Sequence, residues 1–407
     1  MVLLLCFAVI LVIGVLVSNV ADRTILSTSA LFLIAGIVLG SGGFGVLPVD
    51  PADPLVAQLA ELALFAVLFT DGMKAGWRDL RRAWRLPGRA LLFGLPLTLV
   101  FTAVAAHYLV GLDWPTALLV GAILSPTDPV FASALVGNEK VPGRLRHLLN
   151  VESGVNDGLA LPFVIILLAV ASQRASHPAE VATELVVGLA IGIGIPWLVI
   201  RLEGLRIFGA SHHYEPLSAV AIGLLVLALG KVTHGNLFLA AFAAGITVAT
   251  VGPRQRSAFE QFGELVAELL KLAALLVFGA LITISIHRDI GVAGWVFAVI
   301  ALVLPRPLAL AISFLGSRLS VKEQVAASWF GPKGFASVVY ALVVLSAGIP
   351  TSQKVFDLVA ATVVLSILLH SSTDVVVARW FDEAPQAALW RDEDAMDHLP
   401  SSRDGTA

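Results

Sequence analysis

Charge is scarce in this chain: of 407 residues, 14% are Asp, Glu, Lys or Arg, and the formal net charge is −3. A soluble globular protein carries about 25% charged residues, so a water-exposed surface is excluded over most of the length. The near-neutral balance gives no suggestion of nucleic-acid binding. Cys6 is the one cysteine, so no internal disulfide can form. The nine histidines are scattered and show no ligand spacing, and a lone one such as His370 reads as packed. The first apolar run, residues 2–20, has no basic region before it and no small-residue cleavage site after it. It reads as a retained span, not a signal peptide. Alternation of apolar and polar residues with period two is missing as well, which argues against a transmembrane β-barrel.

Long apolar runs are what the chain does have; 58% of its residues are hydrophobic. Segments of about 20 apolar residues suffice to cross a bilayer as helices. They predict an all-α polytopic membrane protein with about thirteen spans, near residues 2–20, 25–40, 55–73, 88–111, 115–137, 147–172, 181–202, 215–230, 235–251, 261–286, 291–316, 323–348 and 355–378. A transmembrane domain is thus expected over 1–379 and a short acidic tail over 380–407. Of the 26 Lys and Arg residues, 19 fall in loops that follow odd-numbered spans or in the tail, four in even-numbered loops and three (Lys271, Arg306, Lys333) inside spans. Cytoplasmic loops are rich in Lys and Arg, so the N-terminus is expected outside and the C-terminus in the cytoplasm.

Two spans are interrupted. The fifth contains "ILSPTDPV", with Asp128 between Pro126 and Pro129; the twelfth contains "FGPKGFAS", with Gly331, Pro332 and Gly334 around Lys333. Proline removes a backbone N–H and drives its predecessor out of the α region, so Thr127 and Asp128 are expected in unwound backbone. Broken helices at mid-membrane are a mark of transporters built from inverted repeats. Spans five and twelve lie seven apart, an odd offset that inverts orientation. The expected layout is two inverted six-helix repeats, about 2–172 and 215–378, joined by a linker helix at about 181–202. A simple proline kink with a snorkelling Asp128 is the plainer alternative.

The sixth span opens "NVESGVNDGLALPF". Ser153 and Asp157 are four residues apart and share a helical face, as do Glu152 and Asn156. Acids within spans are rare and mark ion or proton pathways, and oxygen ligands of this number suit a monovalent cation better than Ca²⁺ or Mg²⁺. Capping of the helix start, or pairing with basic residues, is the alternative for these residues. Glu152 needs a buried partner; Arg306 is the first candidate and Lys333 the second. Lys271 has Glu268 three residues before it and is expected to pair locally. Asp71, near the end of the third span, either reaches the site or marks the cytoplasmic boundary.

"SPTDPV" followed about thirty residues later by "ESGVNDG", with the weaker "GPKG", resembles the cation:proton antiporter family and within it the bacterial sodium/proton exchangers of the NhaP type. The resemblance runs from the first span to the thirteenth. It implies that Asp128, Asp157, Ser153 and the Thr127 carbonyl hold Na⁺, that Asn156 steadies the crossing of the broken helices, and that Glu152 and Arg306 form a structural ion pair. Two positions depart from the family's pattern: Asp71 stands where glutamate is usual, and Lys333 where arginine is usual, which loses a bidentate fork. The resemblance further implies a homodimer in a bacterial plasma membrane and needs no cofactor or ATP. The expected activity is exchange of Na⁺ or Li⁺ for H⁺ by competition at shared carboxylates. Asn156 cannot titrate, which favours electroneutral one-for-one exchange. A K⁺/H⁺ antiporter of the same fold is the nearest alternative. A cation channel fits less well because filters are built from rings of repeated subunits, and an intramembrane aspartyl protease would want a Gly-x-Gly-Asp motif that is absent.

Overall fold

The computed structural model describes residues 1–21, 28–74, 86–128, 140–172, 178–205, 215–283 and 285–381. Among them there is no strand, and every expected span has a helical counterpart. The helices are α1 (Val2–Ala21), α2 (Thr28–Leu39), α3 (Pro54–Lys74), α4 (Leu86–Val110), α5 (Trp114–Ile123), α6 (Gly143–Ala171), α7 (Pro178–Glu203), α8 (Glu215–Val232), α9 (Leu237–Val251), α10 (Pro253–Leu281), α11 (Ile286–Val303), α12 (Pro305–Ser313), α13 (Val321–Trp329), α14 (Phe335–Ser346) and α15 (Ser352–Ala378). Among the described residues, six are long and apolar enough to cross a membrane unaided: α3, α4, α6, α7, α15 and the joined pair α11–α12. The second half of the fifth span, with Pro129, and the tail from 382 lie outside the described residues.

Local sequence explains where helices stop. Asp113 caps α5 by accepting the Thr116 N–H (3.2 Å), and the helix ends one turn before Pro126. Ser320 and Glu323 form a reciprocal capping box at the start of α13. Gly331, Pro332 and Gly334 then hold non-helical backbone until α14 begins. The eleventh span is interrupted too, at Leu304–Pro305, which the sequence reading did not anticipate. Its counterpart seven spans earlier, α4, carries a π-helical turn at Ala90–Gly94. Two other boundaries differ from expectation. α10 begins at Pro253, so Arg254 and Arg256 are helical and not in a loop; its first turns are polar, and an apolar run cannot reveal them. α6 begins at Gly143, so Glu152 to Asp157 lie well inside the helix and cannot be its cap.

The helices form two bundles. α4, α5, α6 and α11 to α15 pack on one another; α2, α3, α8, α9 and α10 form the other, with α1 resting on α2 and α7 on α8 and α9. The bundles meet where α3 touches α6 and α14, α9 touches α6, and α10 touches α14. Within the second bundle two crossings are so close that only glycine fits. α2 crosses α10 at Gly36 and Gly279, and α3 crosses α9 at Gly72 and Gly245. A Cβ at any of the four would run into a carbonyl oxygen of the opposing helix. Matching α2 with α9 and α3 with α10 turns each crossing into the other, as an inverted repeat requires.

Candidate cation site

The interrupted spans bring their breaks together. The Asp128 N–H donates to the Pro332 carbonyl (2.9 Å), joining the two non-helical stretches directly. Each break leaves helix ends with unsatisfied backbone groups, and at the facing ends of α5 and α14 the opposite span supplies what they lack. At the C-terminal end of α5, Ser337 donates to the Ile123 carbonyl (2.7 Å) and the Lys333 ammonium reaches the Pro126 carbonyl (3.5 Å). At the N-terminal end of α14, the Phe335 N–H donates to Asp128 Oδ2 (3.1 Å). A cation thus faces the negative end of one helix dipole and an anion the positive end of the other.

α6 passes beside this crossing. Asn156 Nδ2 donates to the Thr127 carbonyl (3.2 Å) and to Thr127 Oγ1 (2.8 Å). That fixes the unwound peptide and leaves the carbonyl's second lone pair. Thr127 Oγ1 lies 3.5 Å from Ser153 Oγ. Thr127, Asp128, Ser153, Asn156 and Asp157 are all buried. Asp157 Oδ1 and Asn156 Oδ1 have no hydrogen-bond partner among the described residues, although buried polar oxygens are normally satisfied. The Asp157 carbonyl accepts the Tyr340 hydroxyl (2.7 Å), tying α6 to α14. Asp71 is half-buried at the end of α3 and lies within electrostatic range of Asp128 and Asp157. The residues the sequence singled out therefore converge. What they make is an oxygen-lined, carboxylate-rich locus that can hold a small monovalent cation or protons.

Glu152 pairs with Arg306, the first candidate. The guanidinium meets the carboxylate with both ends, at 2.6 and 3.1 Å, and also donates to the Ala327 and Phe330 carbonyls (3.1 and 3.3 Å) at the end of α13. Both side chains are buried, and the pair stands apart from the cation locus as a brace between α6, α12 and α13. His370 is packed, as expected. The Lys333 N–H donates to Ser366 Oγ (2.7 Å), Ser366 Oγ lies 3.1 Å from His370 Nδ1, and His370 Nε2 is 3.0 Å from the Trp329 carbonyl. This chain anchors both sides of the α13–α14 break to α15.

Lys271 pairs with Glu268 as expected, at 3.7 Å, but that is not its whole environment: its ammonium is also 3.9 Å from Asp128 Oδ2, and the residue is buried. The available signal was its position: a lysine in mid-span marks function by default, and the local i,i+3 partner hid it. Tyr340 and Ser337 were missed as well, since a hydroxyl amid apolar residues gives no hint of which backbone carbonyl it will meet.

A model of the transmembrane sodium/hydrogen exchanger matches residues 7–380. The chain belongs to the sodium/hydrogen exchanger family. Among its relatives are the K(+)/H(+) antiporter NhaP of Alkalimonas amylolytica, 28% identical over 93% of this chain and 66% of the relative, and the K(+)/H(+) antiporter NhaP2 of Shewanella sp. strain ANA-3, 28% identical over 97% of this chain and 70% of the relative. The chain thus spans about two thirds of the length of these relatives. The sodium proton antiporter MjNhaP1 of Methanocaldococcus jannaschii has the same fold, with a TM-score of 0.78 at 19% identity over 94% of this chain and 100% of that one. This exchanger-family chain is accordingly a multi-pass membrane protein of the antiporter fold.

Proposed function

We propose that this chain is a secondary antiporter that exchanges Na⁺ or Li⁺ for H⁺ at one shared site, formed by Asp128, Asp157, Ser153 and Thr127 with Asp71 at its edge. The observation that carries the proposal is Asp157: a buried carboxylate in mid-helix, with an oxygen that no group among the described residues satisfies, beside the unwound oxygens of the crossing. Cation and proton satisfy that oxygen equally well in kind, and each excludes the other. Movement of the bundles only when the site is loaded then couples the two flows, and an existing gradient drives them. Asn156 does not titrate, so one cation is exchanged for one proton. The names of the NhaP relatives favour K⁺ as the second reading of the cation.

Orientation and assembly belong to the same proposal. The cation-rich odd loops put the N-terminus outside. α1 leaves Leu4, Leu5, Val12 and Leu16 exposed, an apolar face suited to lipid and to the same helices of a second copy. Division into repeats at about 2–172 and 215–378 is supported by the glycine crossings. The test is proton flux in proteoliposomes driven by Na⁺, Li⁺ or K⁺ across pH, wild type beside Asp157→Asn. Exchange with at least one cation, abolished in a variant that remains folded by gel filtration, is expected. Absence of cation-driven flux in the wild type overturns the function, and normal flux in Asp157→Asn overturns the site.

A further inference from the structure

We propose that Lys271 competes with the transported cation for Asp128 and, in doing so, ties the two bundles together until a cation displaces it. The inference rests on the exchange reading above and adds a positioning residue to it. Lys271 sits on α10, in the second bundle; Asp128 sits at the crossing, in the first. Their approach at 3.9 Å therefore spans the seam between bundles. The oxygen that Lys271 faces, Oδ2, is the one already holding the Phe335 N–H, and the ammonium lies 6.0 Å from the centre of the Phe335 ring. Lys271 is thus aimed at the N-terminal end of α14, at the carboxylate an arriving cation has to use.

Two positive charges cannot share one buried carboxylate at ion-pair distance without strong repulsion. A cation that binds Asp128 must therefore push the ammonium aside. A destination exists: Glu268, one helical turn before Lys271, is 3.7 Å from the ammonium and half-exposed. Asp71 and Asp157 are also within electrostatic range of Lys271, so the ammonium moves within an acidic surround and is not stranded. Displacement toward Glu268 removes the ionic tie between α10 and the crossing. Cation binding and release of the seam become one event, which gives a physical reason for the bundles to shift when loaded.

A purely structural role makes a different prediction. If Lys271 only braces the seam and its charge is not felt by the bound cation, removing that charge leaves cation affinity unchanged or disturbs the site and weakens it. Competition predicts tighter binding. The experiment uses the full chain and measures the half-saturating Na⁺ and K⁺ concentrations twice: for exchange in proteoliposomes and for cation-dependent thermal stabilisation in detergent. In Lys271→Gln the half-saturating concentration is expected to fall about tenfold, with Lys271→Arg staying within about twofold of wild type. Glu268→Gln is expected to act in the opposite sense, raising the value about two- to threefold, because the ammonium loses its alternative partner. An unchanged or raised value in Lys271→Gln overturns the proposal. Should that variant fail to fold, Glu268→Gln decides, since its carboxylate is half-exposed and its loss is well tolerated; an unchanged or lowered value there overturns the proposal too. Wild-type protein without any exchange defeats the functional reading instead, and the stabilisation measurement still decides the competition.

Discussion

Replacing Arg306 by Met removes one charge of a buried pair and strands the other. Glu152 is 4% and Arg306 5% exposed, so water cannot take over the lost interaction. Breaking a buried ion pair by deleting one partner costs about 3–5 kcal/mol, because an uncompensated charge stays behind. Arg306 also serves the Ala327 and Phe330 carbonyls; each buried acceptor left without a donor adds about 1–3 kcal/mol. The total approaches the whole stability of an ordinary domain, about 5–15 kcal/mol. Arg306→Met is therefore expected to melt far below wild type or to be lost from the membrane. The double variant Glu152→Leu with Arg306→Met removes both charges and leaves the carbonyl deficit, so it should recover most of the loss but not all of it. Melting of detergent-solubilised protein, followed by fluorescence-detected gel filtration, ranks the three. A single variant that melts with wild type, or a double variant that melts below the single, refutes the reasoning.

Three further outcomes follow from the geometry. Ala at Gly72 or Gly245 puts a methyl against a carbonyl oxygen of the crossing helix and should lower the melting temperature sharply, whereas Ala at Gly143, where a Cβ meets open space, should not. Asn156→Asp places a second titratable group beside Asp157; cation-driven proton flux should then respond to an imposed membrane potential, and the wild type should not. Tyr340→Phe deletes one buried hydrogen bond to the Asp157 carbonyl and should cost about 1 kcal/mol in stability with exchange retained.

The broken spans were legible because proline and glycine act through local backbone rules that need no tertiary context. Pro126 and the Gly331–Gly334 cluster mark their breaks as plainly in the sequence as in the structure. The interruption at Leu304–Pro305 carries a proline too, but "LPRPL" reads equally well as the start of a new helix after a kink, and only packing against α4 settles its place. Asp128, Ser153, Asn156 and Asp157 announced themselves as polar groups in apolar runs. Lys271 was legible only in part: i,i+3 spacing to Glu268 supplied its local partner, and sequence spacing cannot say which helix will present a second one. The repeat symmetry was visible in the helix count, while its best sequence marks, Gly36 with Gly245 and Gly72 with Gly279, stayed hidden. A glycine in an apolar helix has many uses, and only the crossing shows that these four share one.

The inverted repeat duplicates a backbone but not its chemistry. Asp128 and Lys333 occupy the breaks of equivalent spans, and they carry opposite charges. Had both breaks kept a carboxylate, the N-terminal end of α14 would still have its anion, but the C-terminal end of α5 would face a second negative charge in a medium that cannot screen it. Had both kept a lysine, no carboxylate would remain at the crossing to attract a cation. One acid and one base serve the ends of α5 and α14 that face each other across the two breaks, and leave Asp157 on the neighbouring α6 with an oxygen that has no partner among the described residues. On the proposed function, the asymmetry between the halves is what turns two structural interruptions into a single binding locus. On this argument Lys333→Asp should abolish assembly of the crossing, while Lys333→Arg, which keeps the charge facing Pro126, should preserve both fold and exchange.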